Sequence, residues 1–128
     1  NLKDIIDLAA LIQALVVGLC NHYENGTQLS YLDSWIIYEN KWRATRYGMD
    51  ANIITDSDGS QVPIRDIIKS TIFALEPEVN QLNLGTHMDR LINRIENKKD
   101  YYANQINLYK ENNSFNDVIK QNIEDLKG

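Results

Sequence analysis

The side chains best suited to chemistry lie in one short segment, YENKWRATRYGMD, at positions 38–50. Five of them carry charged or amide groups: Glu39, Asn40, Lys41, Arg43 and Arg46. Guanidinium and ammonium groups donate hydrogen bonds to phosphate and carboxylate oxygens, whereas a carboxamide both donates and accepts. The segment is therefore compatible with a site for an anionic ligand, and also with a solvated helix stabilised by ion pairs.

Helical periodicity assigns these side chains to particular faces. At about 100° per residue, Asn40, Arg43 and Tyr47 fall on one face. Glu39 precedes Arg43 by four residues, a spacing at which an exposed pair stabilises a helix by only about 0.3 kcal/mol. This face predicts either a surface ion pair or a pair of groups that contact a ligand.

Trp35, Trp42 and Arg46 form a neighbouring row on the same helix. Two tryptophans are unusual on a freely solvated helix, so we expect them to pack. A guanidinium held by aromatic packing is prepared for bidentate contact with phosphate or carboxylate. From the residues alone, anion recognition and structural ion pairing both stay open.

Other kinds of site find little support in the sequence. His22 and His87 are the only histidines and are far apart, and there is no cysteine pair, so we assign no metal ligands. The stretch DSDG at 56–59 begins like a calcium loop but lacks the closing glutamate, which favours a plain turn. Neither a phosphate-binding glycine loop nor a Gly-x-Ser-x-Gly motif occurs.

Length and composition limit the class of protein. The 128 residues predict a single unit, and a net charge of −5 argues against a nucleic-acid partner. The apolar run from Leu8 to Cys20 is short for a membrane span and contains Gln13, so no membrane partner is expected. The lone Cys20 favours a reducing, cytoplasmic setting and, within this run, a small buried side chain.

Elements that could position the segment follow from apolar periodicity and turn residues. A helix is predicted over 2–24, buried on more than one side and ended by Gly26. Its apolar row is Ile5, Leu8, Ala9, Ile12, Leu15, Val16, Leu19 and Cys20. A second helix, from about Ser30 to Tyr47, carries the charged segment and ends at Gly48.

The rest of the chain predicts one small β excursion among helices. A β-hairpin-like segment is expected near 51–63, with Asp58-Gly59 at its turn. Pro63 precedes a helix, Pro77 and Gly85 mark boundaries, and further helices are expected at 86–97 and about 100–111. Ser114 is a candidate N-cap for the last helix. The predicted fold class is mainly α, in one unit over 1–128.

One stretch of the sequence is more informative as a motif than through the chemistry of its side chains alone. The string ENKWRATRYGMDANIITDSDG, followed by VPIRDII at 62–68, resembles the C-terminal region of the carboxylate–amine ligases, the type 2 glutamate–cysteine ligase family. The family typically carries Glu-Asn-Lys-Trp-Arg-Ala-x-Arg-Tyr-Gly-Leu-Asp-Ala near this point, and only Met49 differs as a mild variant. DLAALIQALVVGL at 7–19 is similar to the family's preceding helix.

The resemblance implies a larger enzyme. It implies a glutamine synthetase-like α+β fold, of which this chain would be the helical C-terminal portion of a larger catalytic domain. The implied reaction uses ATP and Mg²⁺, held mainly by residues upstream of this chain, to phosphorylate a carboxylate that an amine then attacks. Partners would be a glutamate-like carboxylate and an amine, with a homo-oligomer left open, and the 128 residues alone would be inactive.

The same resemblance assigns roles residue by residue. Arg43 and Arg46 would stabilise negative charge as catalytic residues, and Arg43 would contact phosphate or a substrate carboxylate. Asn40 would orient a ligand oxygen, while Lys41 and Glu39 would either bind substrate or support those that do. Trp42 and Tyr47 are expected to pack.

The resemblance weakens near residues 101–106. The family often shows Gly-Ala-(Asp/Glu)-Arg-Gln-Arg there, whereas this chain has YYANQI and keeps only Gln105. This departure implies a different substrate or an altered activity if those groups touch substrate in the family. The alternative function is a non-catalytic helical module whose Arg/Trp helix binds a partner protein or packs internally.

Overall fold

A computed structural model describes residues 2–27, 31–97 and 101–127, with the side chains of 101–103 and 127 left out. Within these ranges the chain is mainly helical with one two-stranded antiparallel sheet, as predicted. The elements are α1 (Leu2–Glu24), α2 (Ser34–Tyr47), β1 (Asn52–Ile54), β2 (Gln61–Pro63), α3 (Ile64–Ala74), α4 (Glu76–Gln81), α5 (Gly85–Glu96), α6 (Tyr101–Asn112) and α7 (Phe115–Lys127). A single 3₁₀ turn at Gly48–Asp50 joins α2 to β1.

The predicted hairpin is confirmed and its turn is specified locally. Strand β1 pairs with β2 so that Ile53 lies opposite Val62. Asp56 Oδ1 accepts hydrogen bonds from the backbone N–H groups of Asp58 and Ser60, both at 3.0 Å. Gly59 has a φ of +83°, a conformation that side chains with a Cβ rarely adopt. The DSDG sequence thus builds a turn, as predicted.

Helix boundaries agree with the sequence except at the start of α2. The structure begins this helix at Ser34, whereas the sequence favoured a start near residue 30, which lies outside the described residues. Asp33, just before the helix, accepts a hydrogen bond from Ser57 Oγ at 3.2 Å, so it ties the start of α2 to the hairpin turn. Ser114 Oγ accepts from the Asp117 N–H at 3.4 Å, which confirms the predicted cap of α7.

The main core forms where α1 packs against α3, α4 and α5. Its buried members are Ala10, Ala14, Ile72, Leu75, Val79 and Met88. The contribution of α1 comes from small side chains, so its backbone approaches the neighbouring helices closely. A Cβ added at Gly18 would lie 2.8 Å from Leu75 Cδ2, closer than real Cβ contacts. A larger side chain at Gly18 would therefore force Leu75 to move.

Helix α1 was predicted to be buried on more than one side, but most of its apolar row faces solvent and only Leu15 of that row packs against the core. Ile12 and Val16 are each 53% exposed, whereas Asp7, Ala10 and Ala14 are buried. Small residues allow the closer helix approach, and Asp7 finds its partners on α5, so the buried face is the one that carries them. The predicted burial of Cys20 was also wrong, because its side chain is exposed.

Candidate functional site

Helix α2 packs against the hairpin and its flanking turn, and each of these elements contributes a buried apolar residue. Ile36 of α2 and Ala51 are fully buried, and Ile54 of β1 is 6% exposed. These residues bring together the charged face of α2 and the two short strands. The charged segment singled out in the sequence therefore lies at a helix–hairpin junction.

Asn40 connects α2 to β1 through a pair of hydrogen bonds. Its Nδ2 donates to Ile54 O at 2.8 Å, and its Oδ1 accepts from the Ile54 N–H at 2.8 Å. The side chain thus acts like a neighbouring strand residue on the free edge of β1. Both polar groups of the Asn40 amide are engaged by protein backbone, so this residue fixes the hairpin relative to α2.

Arg43 is held on two edges of its guanidinium. Nε donates to Glu39 Oε1 at 2.8 Å, and Nη1 donates to Gln61 Oε1 at 2.8 Å and to Asn52 O at 3.2 Å. Nη2 has no hydrogen-bond partner within the described part of the chain, and the Arg43 side chain is 22% exposed. One edge of a fixed guanidinium therefore stays available to a ligand oxygen.

A pocket of about 390 Å³ opens beside Arg43. Its lining consists of Glu39, Trp42, Arg43, Tyr47, Asp50, Asn52 and Gln61. Both lining carboxylates are paired, Glu39 with Arg43 at 2.8 Å and Asp50 with Arg65 at 3.3 Å. These pairs leave the local charge close to balanced, so an anion entering the pocket does not meet an unpaired carboxylate.

The aromatic side chains support Arg46 rather than Arg43. The Arg46 Cζ lies 5.6 Å from the Trp42 ring centroid and 5.8 Å from the Tyr47 centroid, and the two rings meet edge to face. Trp35 and Trp42 are each 53% exposed, so the expectation that the tryptophans are packed away was wrong. Polar neighbours on the hairpin, not aromatic rings, hold the Arg43 guanidinium.

The structure groups only some of the predicted site residues. Glu39 and Arg43 line the pocket, while Asn40, Lys41 and Arg46 do not. Lys41 and Arg46 are exposed on α2. Sequence reasoning missed the hairpin members Asn52 and Gln61, because their role depends on how β1 packs against α2 and how the turn brings β2 alongside β1. The Asp58-Gly59 turn signal was the available clue to that placement.

A second polar cluster joins α1 to α5, far from the charged segment in sequence. The buried Asp7 carboxylate accepts from Arg90 Nε at 2.9 Å and lies 2.7 Å from His87 Nδ1. The Arg90 hydrogen bond, with help from His87, lowers the pKa of Asp7 although burial acts in the opposite direction. No local signal in the sequence pairs residues this far apart.

Asp7 and Arg90 line a larger polar cleft of about 1100 Å³ between α1, α5, α6 and α7. Arg94 of α5 forms a second ion pair across it, with Asp4 of α1. The hydrogen bond from Gln105 Nε2 to Asn122 Oδ1, at 2.9 Å, joins α6 to α7. The larger cavity is therefore not the one that carries the charged segment.

Two further kinds of site were sought in the described ranges. There, no three His, Cys, Asp or Glu side chains are grouped so that they could hold a metal ion. In the same ranges no helix has the length and apolarity needed to cross a membrane.

Comparison with known proteins identifies relatives along nearly the whole chain. The model of glutamate–cysteine ligase family 2 matches residues 1–118. A protein named putative glutamate–cysteine ligase 2 from Clavibacter sepedonicus is 32% identical over 99% of this chain, and one from Corynebacterium glutamicum is 31% identical over 99%. One of the same name from Mycobacterium tuberculosis is 39% identical over 69% of the chain.

The match is to a part of those relatives. The aligned region covers 33% of the Clavibacter protein and 34% of the Corynebacterium protein, so the chain spans about a third of the length of the curated relatives it matches. No solved structure is significantly similar to it.

Proposed function

The chain belongs to glutamate–cysteine ligase family 2, and on that premise we propose that it forms one wall of an ATP-dependent carboxylate–amine ligase site. The reaction proposed is amide formation through an acyl phosphate, from a glutamate-like carboxylate and an amine. The pocket beside Arg43 is the place where this chain would contact the reactants. The ligase would act in the cytoplasm, where a lone cysteine stays reduced.

The observation that carries the proposal is the fixed guanidinium of Arg43. Three of its N–H groups are engaged by Glu39, Gln61 and Asn52, the two on Nη2 have no partner among the described residues, and Arg43 lines the pocket. A donor that is already fixed loses little conformational entropy when the ligand binds, and it stabilises charge that develops in the transition state. Phosphoryl transfer depends almost entirely on such positioning and electrostatic stabilisation.

The other charged and amide residues of α2 would support Arg43 in different ways. Arg46, exposed and stacked on the pocket-lining Trp42 and Tyr47, would meet a phosphate or carboxylate beside the pocket. Lys41 does not line the pocket and would have at most a supporting role there. Glu39 would set the orientation of Arg43. Asn40 would act chiefly by holding β1, and through it Asn52, in place.

ATP would supply the phosphoryl group, and Mg²⁺ would neutralise its charge. The donors of Arg43 and Arg46 fit phosphate oxygens. Beside Arg43, the two pocket carboxylates Glu39 and Asp50 are each paired with an arginine. As the family resemblance implies, Mg²⁺ would be held mainly by residues upstream of this chain.

The test is steady-state kinetics of the complete ligase that contains this chain, supplied with ATP, glutamate and pooled amines. Mass spectrometry would follow ADP and the new amide. Arg43→Ala is expected to lower amide formation at least ~10²-fold. A rise in KM for ATP would assign Arg43 to phosphate, and a rise in KM for glutamate would assign it to the carboxylate substrate.

Two controls distinguish a specific effect of Arg43 from a general loss of charge or of folding. Lys120→Ala removes an exposed cation on α7, 3.8 Å from Asp117, and is expected to leave the rate unchanged. Circular dichroism and thermal melting would verify that Arg43→Ala stays folded. A folded Arg43→Ala protein with an undiminished rate, or a wild-type protein that forms no amide, would refute the proposal.

A further inference from the structure

The helix α1 carries an apolar face that nothing in the described structure covers. Its members are Ile5, Leu8, Ile12, Val16 and Leu19, each between 50% and 65% exposed. On a helix of 3.6 residues per turn they span an arc of about 80°, so they form one continuous apolar stripe. We call this set the α1 apolar stripe.

The opposite face of α1 is already buried. Asp7, Ala10, Ala14 and Gly18 pack against the other helices, and the centres of the two faces are roughly 150° apart around the helix. The run from Leu8 to Cys20 contains no charged residue, although its stripe side meets water in this structure. A helix that is apolar on both sides is typical of one buried between two layers.

We infer that the α1 apolar stripe packs against the polypeptide that makes up the other two-thirds of the curated relatives. The chain covers only 33% of the Clavibacter protein, so most of that fold lies outside it. Monomeric proteins rarely expose an apolar row of this length, and large exposed patches mark interfaces. In the assembled protein α1 would then be the central layer, with the core described above on one side and that polypeptide on the other.

This inference does not depend on the activity proposed for the Arg43 pocket, because its test measures association alone. The probe is the part of the Clavibacter sepedonicus relative outside the matched third, expressed as a separate polypeptide and mixed with this chain. Sedimentation velocity is expected to show a one-to-one complex. The double variant Ile12→Glu/Val16→Glu should weaken it at least ~10-fold, since two apolar side chains would become charged in a buried contact.

The matched control is Gln13→Glu, which adds a negative charge to an exposed position of α1 beside the stripe. It is expected to leave the affinity within about threefold of wild type, a change of about 0.6 kcal/mol. Thermal melting should show that the isolated double variant is as stable as wild type, because Ile12 and Val16 are half exposed there.

Three outcomes would overturn the inference. The first is that no complex forms, and the second is that the double variant binds as tightly as wild type. The third is that the chain self-associates and loses this association in the double variant, which would assign the stripe to a second copy of the chain instead.

Discussion

Two arginine–carboxylate pairs in this chain have similar chemistry but different origins. Arg43 and Glu39 lie one turn apart on α2, at 2.8 Å, and both are partly exposed. Arg90 and Asp7 are separated by 83 residues and join α5 to α1, with the Asp7 side chain only 4% exposed. The first pair orients a guanidinium beside a pocket, and the second closes a helix–helix interface.

The difference shows that the burial of an ion pair determines how much it contributes to stability. An exposed ion pair contributes little to the free energy of unfolding. Glu39 can therefore serve mainly to orient Arg43. A buried carboxylate that loses its donors leaves unsatisfied polar groups, so the Asp7 pair is expected to matter for folding. We therefore expect substitutions at the first pair to change function and substitutions at the second to change stability.

The largest effect on stability is expected for Asp7→Asn. The amide keeps the size of the side chain but turns one acceptor into a donor that faces Arg90. We expect the free energy of unfolding to fall by about 2 kcal/mol, less than the roughly 3–5 kcal/mol for a fully buried pair, because Arg90 is 45% exposed to water. Urea denaturation would measure it.

The matched isostere is Glu39→Gln on α2, with an expected loss under about 1 kcal/mol because that pair is partly exposed. Equal losses for Asp7→Asn and Glu39→Gln would remove the distinction between the two pairs.

Next in size is Asn40→Ala, which would remove both hydrogen bonds to Ile54. Because Ile54 is buried, its N–H and C=O would lose partners without gaining full access to water, at an expected cost of about 1.5 kcal/mol. Hydrogen exchange should show faster exchange of the Ile54 amide. Thr45→Ala, which removes only an exposed bond to Lys41 O, should leave that amide protected. Unchanged exchange of the Ile54 amide in Asn40→Ala would contradict the role of Asn40 in holding β1 against α2.

Acid should weaken the interhelical pair selectively. The lowered pKa of Asp7 means that its contribution is present above its ordinary value of 3.8 and is lost as the pH falls through the lower native pKa. The free energy of unfolding should therefore decrease below pH 3.8, with a shallower slope in Asp7→Asn. Asp56 also has a lowered pKa, because the Ser60 hydroxyl and turn N–H groups donate to it, so part of the slope should persist. An identical slope in both proteins would exclude Asp7 as its source.

The smallest effect is expected for Arg46→Met, which keeps the apolar stem but removes the cation over Trp42 and Tyr47. At an exposed site the loss should be about 0.5 kcal/mol. Tryptophan fluorescence would report the altered surroundings of Trp42, with Trp42→Phe as the assignment control. A loss as large as that of Asp7→Asn would mean that the α2 surface contributes to stability like a buried pair.

Local signals explain the parts of the fold that were predicted correctly. The hairpin near 51–63 follows from DSDG, whose Gly59 accepts a positive φ, and the cap at Ser114 follows from its hydroxyl. Each depends on residues a few positions apart, where covalent connection already brings the partners together. The choice of Arg43 as a candidate site residue likewise came from local helix geometry and from the resemblance, and it is still a prediction.

Contacts between distant residues explain the parts that were predicted wrongly or missed. The sequence determined that the chain is helical, where its turns lie and which segment carries the charged groups. Only the tertiary structure decided that Ala10 and Ala14, rather than Ile12 and Val16, face the core, and that Asp7 meets Arg90. By hydrophobicity alone the face with Ile12 and Val16 would be the buried one, but which face is buried depends on what packs against it, and no single segment encodes that.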